Sequence, residues 1–178
     1  MQITLSRTDP SALWQGVVWG TLLGAMLLVF NLVNNLGNLD ATGETWLKNG
    51  LLIIMFALPG LAGYTGSRET GRVKSGALAV LVTGLVSAVI GIVTLWVITL
   101  VFMDTLRHNA LTTIDFQQSG MTNMRVFIVE GALGGSIFLA VFSLAFGAGY
   151  GLLGSLLGAQ YARVGGPGSN KIQLGQDA

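Results

Sequence analysis

The segment from Gly131 to Tyr161 carries no charged residue, and glycine recurs within it at Gly147, Gly151, Gly154 and Gly158. An uncharged run of this length exceeds the roughly 20 residues that an α-helix needs to cross a bilayer. Spacings of four, three and four place the four glycines on one face of such a helix. A face without side chains lets a second helix backbone approach closely, which is how helices associate in apolar lipid. The segment therefore predicts a membrane helix that packs through a glycine-lined face.

The composition of the whole chain agrees with a lipid environment. Of its 178 residues, 52% are hydrophobic and only 10% are charged, whereas soluble domains carry about 25% charged residues. A net charge of +1 argues against a nucleic-acid partner, which requires a dense basic face. The absence of cysteine excludes disulfides, thiolate metal sites and thiol catalysis. The expected partners are the lipid bilayer and either other membrane subunits or further copies of the chain.

Apolar runs separated by polar turns predict an all-α integral membrane bundle of four transmembrane helices. The membrane domain is expected over residues 1–164, followed by a polar and mobile tail at 165–178, because Gly165-Gly166-Pro167-Gly168 should stop the last helix. The predicted spans cover residues 12–33, 46–65, 73–103 and 126–162.

The first span repeats the glycine pattern with Gly16, Gly20 and Gly24. Asp9-Pro10 suits a helix start, with Asp as the N-cap and Pro at the first helical position. A charged leader before an apolar stretch also suits a signal peptide. The run is long for that purpose and no A-x-A cleavage site follows it, so we favour a retained span.

Two further elements interrupt the apolar pattern. Pro59 lies inside the second span and is expected to kink it. The connection at 104–125 mixes apolar and polar residues, which predicts a short amphipathic helix at the membrane interface.

The distribution of Lys and Arg predicts the orientation. The leader, the second turn and the tail hold six of them, against three in the other two connections. The positive-inside rule then places both termini in the cytoplasm. Arg68, Arg72 and Lys74 form a compact basic turn, which is interpreted as an orientation determinant that also contacts anionic lipid headgroups. The predicted location is the cytoplasmic membrane of the cell.

A duplicated helical hairpin is an open alternative. Ala62-Gly63-Tyr64 near the end of the second span recurs as Ala148-Gly149-Tyr150 in the fourth. Such a duplication relates the two halves by an axis along the membrane normal, although short matches also arise by chance in Gly- and Ala-rich sequence.

Groups with catalytic or ion-coupling chemistry are missing from the predicted spans. None has an ionisable residue in its central part, where one would mark a functional site. Glu130 is expected at the membrane surface, where it faces headgroups or pairs with Arg125 or Arg107, with a role in a vestibule or at a partner contact as the alternative. His108, the single histidine, is interpreted as an interfacial residue, with ligation of a pigment or haem held between subunits as the alternative.

A group of oxygen-bearing side chains in the first outer turn matches no calcium loop. Helix capping and turn formation explain it, so no metal and no cofactor are predicted. The group comprises Asn31, Asn34, Asn35, Asn38, Asp40 and Glu44.

These observations predict a non-catalytic membrane protein, foremost a small structural or accessory subunit of a larger membrane complex. The alternative is a passive transporter or channel formed by an oligomer. The glycine pattern resembles that of glycine-zipper membrane proteins in a general way and transfers no function. The glycine faces are expected to meet another span of the same chain, with another subunit as the alternative.

Overall fold

The computed structural model describes residues 10–37 and 39–165, and the secondary structure in this part of the chain is helical throughout, with no strand. The predicted N-cap Asp9 and the tail beyond Gly165 lie outside the described residues. The helices are α1 (Pro10–Leu36), α2 (Ala41–Arg68), α3 (Val73–Val101), α4 (Met103–His108), α5 (Ala110–Ser119) and α6 (Met124–Gly165).

Four of these helices, α1, α2, α3 and α6, are long and apolar enough to cross a membrane, which confirms the predicted all-α membrane bundle. Their outward surfaces are aliphatic and aromatic, as lipid requires. Trp14 and Trp46 are 67% and 74% exposed near the starts of α1 and α2, at opposite ends of the bundle. Exposed tryptophans at two such levels are typical of the membrane–water interfaces.

Side-chain caps define where several helices begin. The Asp40 carboxylate accepts a hydrogen bond from the Gly43 N–H at 2.8 Å and caps α2. The Asn109 side chain accepts from the first N–H groups of α5, and Asn123 does the same for α6. Gly120, with φ 71°, ends α5 in the left-handed conformation that residues with a Cβ adopt at a cost.

The third apolar run differs from its predicted extent. Helix α3 ends at Val101, and the Phe102 N–H closes it by donating to the Ile98 carbonyl. The connection that follows contains two short helices, α4 and α5, where the sequence predicts one. Helix α2 continues through Pro59, which is buried.

The four long helices pack in a consistent pattern of neighbours. Helix α1 packs along α3, α2 packs along α6, and α3 also contacts both α2 and α6. In contrast, the Cα atoms of α1 and α6 nowhere approach within 8 Å among the described residues. Helices α1 and α6 therefore lie at opposite corners of the bundle, with α2 and α3 in contact between them.

The two ends of the bundle differ in their residues. The basic end holds the turn between α2 and α3, with Arg68, Arg72 and Lys74, and the end of α6 with Arg163. The capped end holds α4 and α5. Leu106 of α4 is buried there with Ile98 and Ile128, so the connection is anchored to the bundle.

Candidate functional site

The glycines of α6 lie in tight contact with two different helices. A Cβ built on Gly154 would overlap the carbonyl of Gly60, and one on Gly158 would overlap the carbonyl of Tyr64, both on α2. A Cβ on Gly151 would instead overlap the Val80 side chain of α3. Since nothing larger than hydrogen fits at these positions, the backbones of α2 and α6 approach as closely as glycine permits.

The fourth glycine of the predicted face is packed more loosely. Gly147 is buried, but a Cβ there would lie 3.5 Å from Val80 Cγ1, an ordinary van der Waals distance. The glycine face predicted as one surface is therefore shared between α3 at Gly147 and Gly151 and α2 at Gly154 and Gly158. All of these contacts are within the chain.

The glycines of α1 meet α3 in the same manner. A Cβ on Gly16 would lie 2.6 Å from the Ala79 carbonyl oxygen, and one on Gly20 would lie 2.9 Å from that of Thr83. One on Gly24 would lie 2.8 Å from Ile90 Cβ. The single Thr83 hydroxyl hydrogen can be donated either to the Ala79 carbonyl of its own helix, at 2.9 Å, or to the Gly16 carbonyl of α1, at 3.2 Å. This close approach therefore also allows a polar contact between helices.

Three helices meet at a point that we call the glycine junction, formed by Gly63 and Ser67 of α2, Gly76 of α3, and Gly151 and Ser155 of α6. A Cβ on Gly76 would lie 2.5 Å from both the Gly63 carbonyl oxygen and Ser155 Oγ. Ser67 and Ser155 are fully buried. The Ser155 hydroxyl donates to the Gly151 carbonyl at 2.6 Å, whereas Ser67 Oγ has no hydrogen-bond partner among the described residues.

Sequence reasoning missed the α2 side of this packing. Gly60, Gly63 and Gly66 recur every third residue, a spacing that also places residues on one helix face and that would have identified it. The repeated tripeptides do not occupy equivalent places, because Gly63 is buried in the junction while Gly149 is exposed with open space around it. That difference weighs against a duplicated hairpin.

At the basic end, Arg68, Arg72 and Lys74 are all exposed. The Arg68 guanidinium lies 4.9 Å from the centroid of the Tyr161 ring, a cation–π geometry that ties the end of α2 to α6. Gln15 of α1 donates to the Glu69 carboxylate at 3.2 Å. The basic groups thus lie at one level, where lipid headgroups can reach them.

The capped end contains a cavity of about 450 Å³ between α1, α2 and α6, with Leu95 of α3 in its wall. Its body is apolar, and three amides and Lys48 line it as well. The apolar lining includes Leu27, Phe30, Leu51, Leu52, Met55, Phe138, Leu139 and Phe142.

The amides Asn31, Asn34 and Asn35 belong to helix α1 and line the cavity, which corrects their prediction as turn residues. Only Asp40 of that predicted group has the expected capping role, and Glu44 pairs with Lys48 one turn later at 2.5 Å. Asn38 lies outside the described residues. Among the described residues, no group of three or more acidic, histidine or cysteine side chains is placed to hold a metal ion.

The remaining candidate residues lie near the capped end. His108 is exposed, and its Nδ1 lies 2.7 Å from the Asp104 carbonyl oxygen. Arg107 lies 3.9 Å from the Asp104 carboxylate, and Glu130 is exposed in the second turn of α6. These positions bring together no catalytic arrangement in the described part of the chain.

Comparisons of the chain with protein-family models, with curated proteins and with solved structures found no match.

Proposed function

We propose that the protein is a non-catalytic subunit that packs through α6 against a helix of another membrane protein. The observation that carries this proposal is the exposure of α6. In the most apolar 18-residue stretch of α6, only 17% is buried, against 33–39% in the corresponding stretches of the other three long helices. A helix with this much free surface has the most to gain from a further neighbour in the membrane.

The chemistry of that free surface supports a helix as the neighbour. Ala145, Ala148 and Gly149 are exposed together on α6, one turn apart, and we call them the open α6 face. A Cβ on Gly149 would meet nothing within 4 Å. Small residues on a lipid-facing surface permit the close backbone approach on which helix association in membranes depends.

A hollow beside the open α6 face supports the same occupant. It measures about 200 Å³, lies between α3 and α6, and is lined by Ala77, Val80, Leu81, Ala148 and Leu152. An apolar side chain of a neighbouring helix fits such a hollow as a knob in a hole.

Native mass analysis of the protein, extracted from its own membrane in mild detergent, tests the proposal. We expect a fixed stoichiometry with a second membrane protein, which Gly149→Leu should abolish while the thermal unfolding of the chain is unchanged. Gly50→Leu is the matched control, because Gly50 of α2 also has open space around it and lies on another helix. A chain that is monomeric in these extracts, or an assembly unaffected by Gly149→Leu, contradicts the proposal.

The alternative of a passive transporter receives less support. The glycine junction brings three backbones together in the half of the bundle near the basic end, so a pore would have to run between the chains of an oligomer. Solute flux in proteoliposomes that Gly149→Leu blocks, at an exposed position with open space and with an unchanged unfolding temperature, would favour this alternative instead.

We also propose that the basic end faces the cytoplasm, because Arg68, Arg72, Lys74 and Arg163 share that end. The chain has no cysteine, so single cysteines report orientation without a background. A membrane-impermeant maleimide added to intact cells should label Gln117→Cys of α5 and not Glu69→Cys. The reverse labelling pattern would invert the proposed topology.

A further inference from the structure

The cavity at the capped end has an apolar body and a polar end formed by amides of α1. An amphipathic ligand has the same two parts, one apolar and one polar. Its volume of about 450 Å³ lies within the range of small-molecule sites. Trp46 marks the membrane interface near this level, and Lys48 of the cavity wall follows it on α2 within one turn. A lipid can therefore place its headgroup at the amides and its chain along the apolar wall.

The hydrogen bonds of the amides determine which atoms they offer to a ligand. The Asn31 side-chain nitrogen donates to the Leu27 carbonyl at 2.9 Å, and that of Asn35 donates to the Asn31 carbonyl at 2.8 Å. Each of these nitrogens thus makes a hydrogen bond within α1, and both oxygens remain as acceptors. No described residue donates to either oxygen, although Asn31 is only 7% exposed.

The third amide extends the same pattern. Asn34 Oδ1 is buried and has no hydrogen-bond partner among the described residues. A buried acceptor without a donor is costly by roughly 1–3 kcal/mol, so the Asn34 oxygen, with the Asn31 and Asn35 oxygens on the same cavity wall, indicates a missing donor. Lys48 also lines the cavity, but its ammonium group pairs with Glu44 and the Asn34 oxygen remains without a partner among the described residues.

A second cavity provides a negative charge nearby. It measures about 170 Å³, lies under α4 and α5, and shares Asn35, Leu95 and Gly131 with the first. Asp115 and Thr112 of α5 line it. Carboxylate and amide oxygens together favour a cationic donor over a neutral one.

We propose that the cavity at the capped end binds a membrane lipid whose headgroup carries a primary ammonium group. The ammonium hydrogens are donated to the amide oxygens of Asn31, Asn34 and Asn35, and an acyl chain packs along Phe30, Leu51 and Phe138. This site is separate from the open α6 face and goes beyond the proposed function.

The test compares lipids that differ in donor capacity. The full-length protein in nanodiscs is titrated with phosphatidylethanolamine, phosphatidylcholine or phosphatidylglycerol of identical acyl chains, and bound lipid is counted by native mass spectrometry. Phosphatidylethanolamine and phosphatidylcholine have the same net charge, but only the first has N–H donors. We expect roughly tenfold tighter binding of phosphatidylethanolamine, which corresponds to about one charge-assisted hydrogen bond.

Two variants assign the preference to this cavity. Asn31→Leu should remove the preference, whereas Asn49→Leu, at an exposed position outside the cavity, should keep it. If Asn31→Leu does not fold, Gly131→Leu serves instead, because Gly131 lines the cavity and a Cβ there meets nothing within 4 Å. That variant should reduce binding of the tightly held lipid while its unfolding temperature is unchanged.

Each other outcome overturns the proposal. Equal binding of phosphatidylethanolamine and phosphatidylcholine would show that donors are not recognised. A preference for phosphatidylglycerol that depends on Asn31 would assign the cavity to hydroxyl headgroups and remove the ammonium assignment. A preference for phosphatidylethanolamine that survives both Asn31→Leu and Gly131→Leu would place the lipid elsewhere on the protein.

Discussion

The two halves of the bundle are built from the same helices but are packed in opposite ways. Near the basic end, Gly63, Gly76 and Gly151 allow α2, α3 and α6 to meet with backbone against backbone. Near the capped end, Phe138 of α6 and Leu51 of α2 lie across a cavity of about 450 Å³. Glycine leaves no side chain to separate two helices, and large side chains hold them apart. The distribution of residue size along α2 and α6 therefore decides which half is closed.

The two halves also differ in the functions that they can support. A closed half in which backbones are in contact provides rigidity, since glycine at each contact excludes alternative side-chain arrangements. An open half with unpaired amide oxygens provides space and hydrogen-bonding capacity. We therefore expect substitutions in the closed half to affect stability, and those in the open half to affect binding.

The largest effect is expected for Gly154→Leu. The added side chain would collide with the Gly60 backbone and force α2 away from α6, at a cost of about 3 kcal/mol in the free energy of unfolding. Leu157→Ala is the control, because Leu157 is 62% exposed on the same helix and should change little. Thermal unfolding in detergent, with disulfide crosslinking between α2 and α6, measures both. An unchanged unfolding temperature and unchanged crosslinking in Gly154→Leu would contradict the close packing of α2 against α6 in the closed half.

A smaller effect is expected for core leucines, and it should depend on whether the side chain itself borders a cavity. Leu23→Ala removes a side chain that is packed with Leu27, Met55 and Leu58, at a cost of about 2 kcal/mol. Leu95→Ala should cost only about 1 kcal/mol, because Leu95 borders two existing cavities and has fewer contacts to lose. Equal losses in chemical denaturation would show that the cavity is collapsed in the folded protein.

A still smaller effect on stability is expected for the buried serines of α6. The Ser136 hydroxyl accepts from Trp96 Nε1 at 3.1 Å and donates to the Ala132 carbonyl at 2.8 Å, so Ser136→Ala should cost about 1 kcal/mol. Ser143 Oγ is buried without a partner among the described residues. Ser143→Ala should therefore be neutral or slightly stabilising, as measured by the unfolding temperature. A larger loss at Ser143 than at Ser136 would contradict the hydrogen-bond assignment.

The smallest effect is expected at the mouth of the cavity. Glu44→Gln removes the pair with Lys48, one turn apart on α2, where the lysine side chain is 56% exposed. An exposed pair of this spacing contributes roughly 0.3–0.5 kcal/mol. Stability should thus be nearly unchanged in 0.15 M salt. The ammonium group of Lys48, no longer paired with Glu44, should then donate to the amide oxygens of the same cavity and compete with the lipid. The preference for phosphatidylethanolamine, measured by native mass spectrometry, should therefore be reduced.

Much of the fold is predictable from local sequence. Apolar runs bounded by polar turns predict four membrane helices, and the structure contains them. The short helices α4 and α5 are harder to predict, because Phe102 separates α4 from α3 and Asn109 separates α4 from α5 without a proline or glycine signal. The sequence pattern also predicts a turn where the structure has the last amides of α1. Polar residues at the end of an apolar run are typical both of a turn and of a helix face that borders a cavity.

By itself, the sequence determined that this chain is a helical membrane protein and that α1 and α6 each have a glycine-lined face. These properties follow from hydropathy and from helical periodicity, which act over neighbouring residues. The tertiary structure decided that Gly16 meets α3 while Gly154 meets α2, and that Asn31 borders a cavity. Such pairings depend on how the side chains of several helices fit together in space, and residues distant in sequence supply that fit.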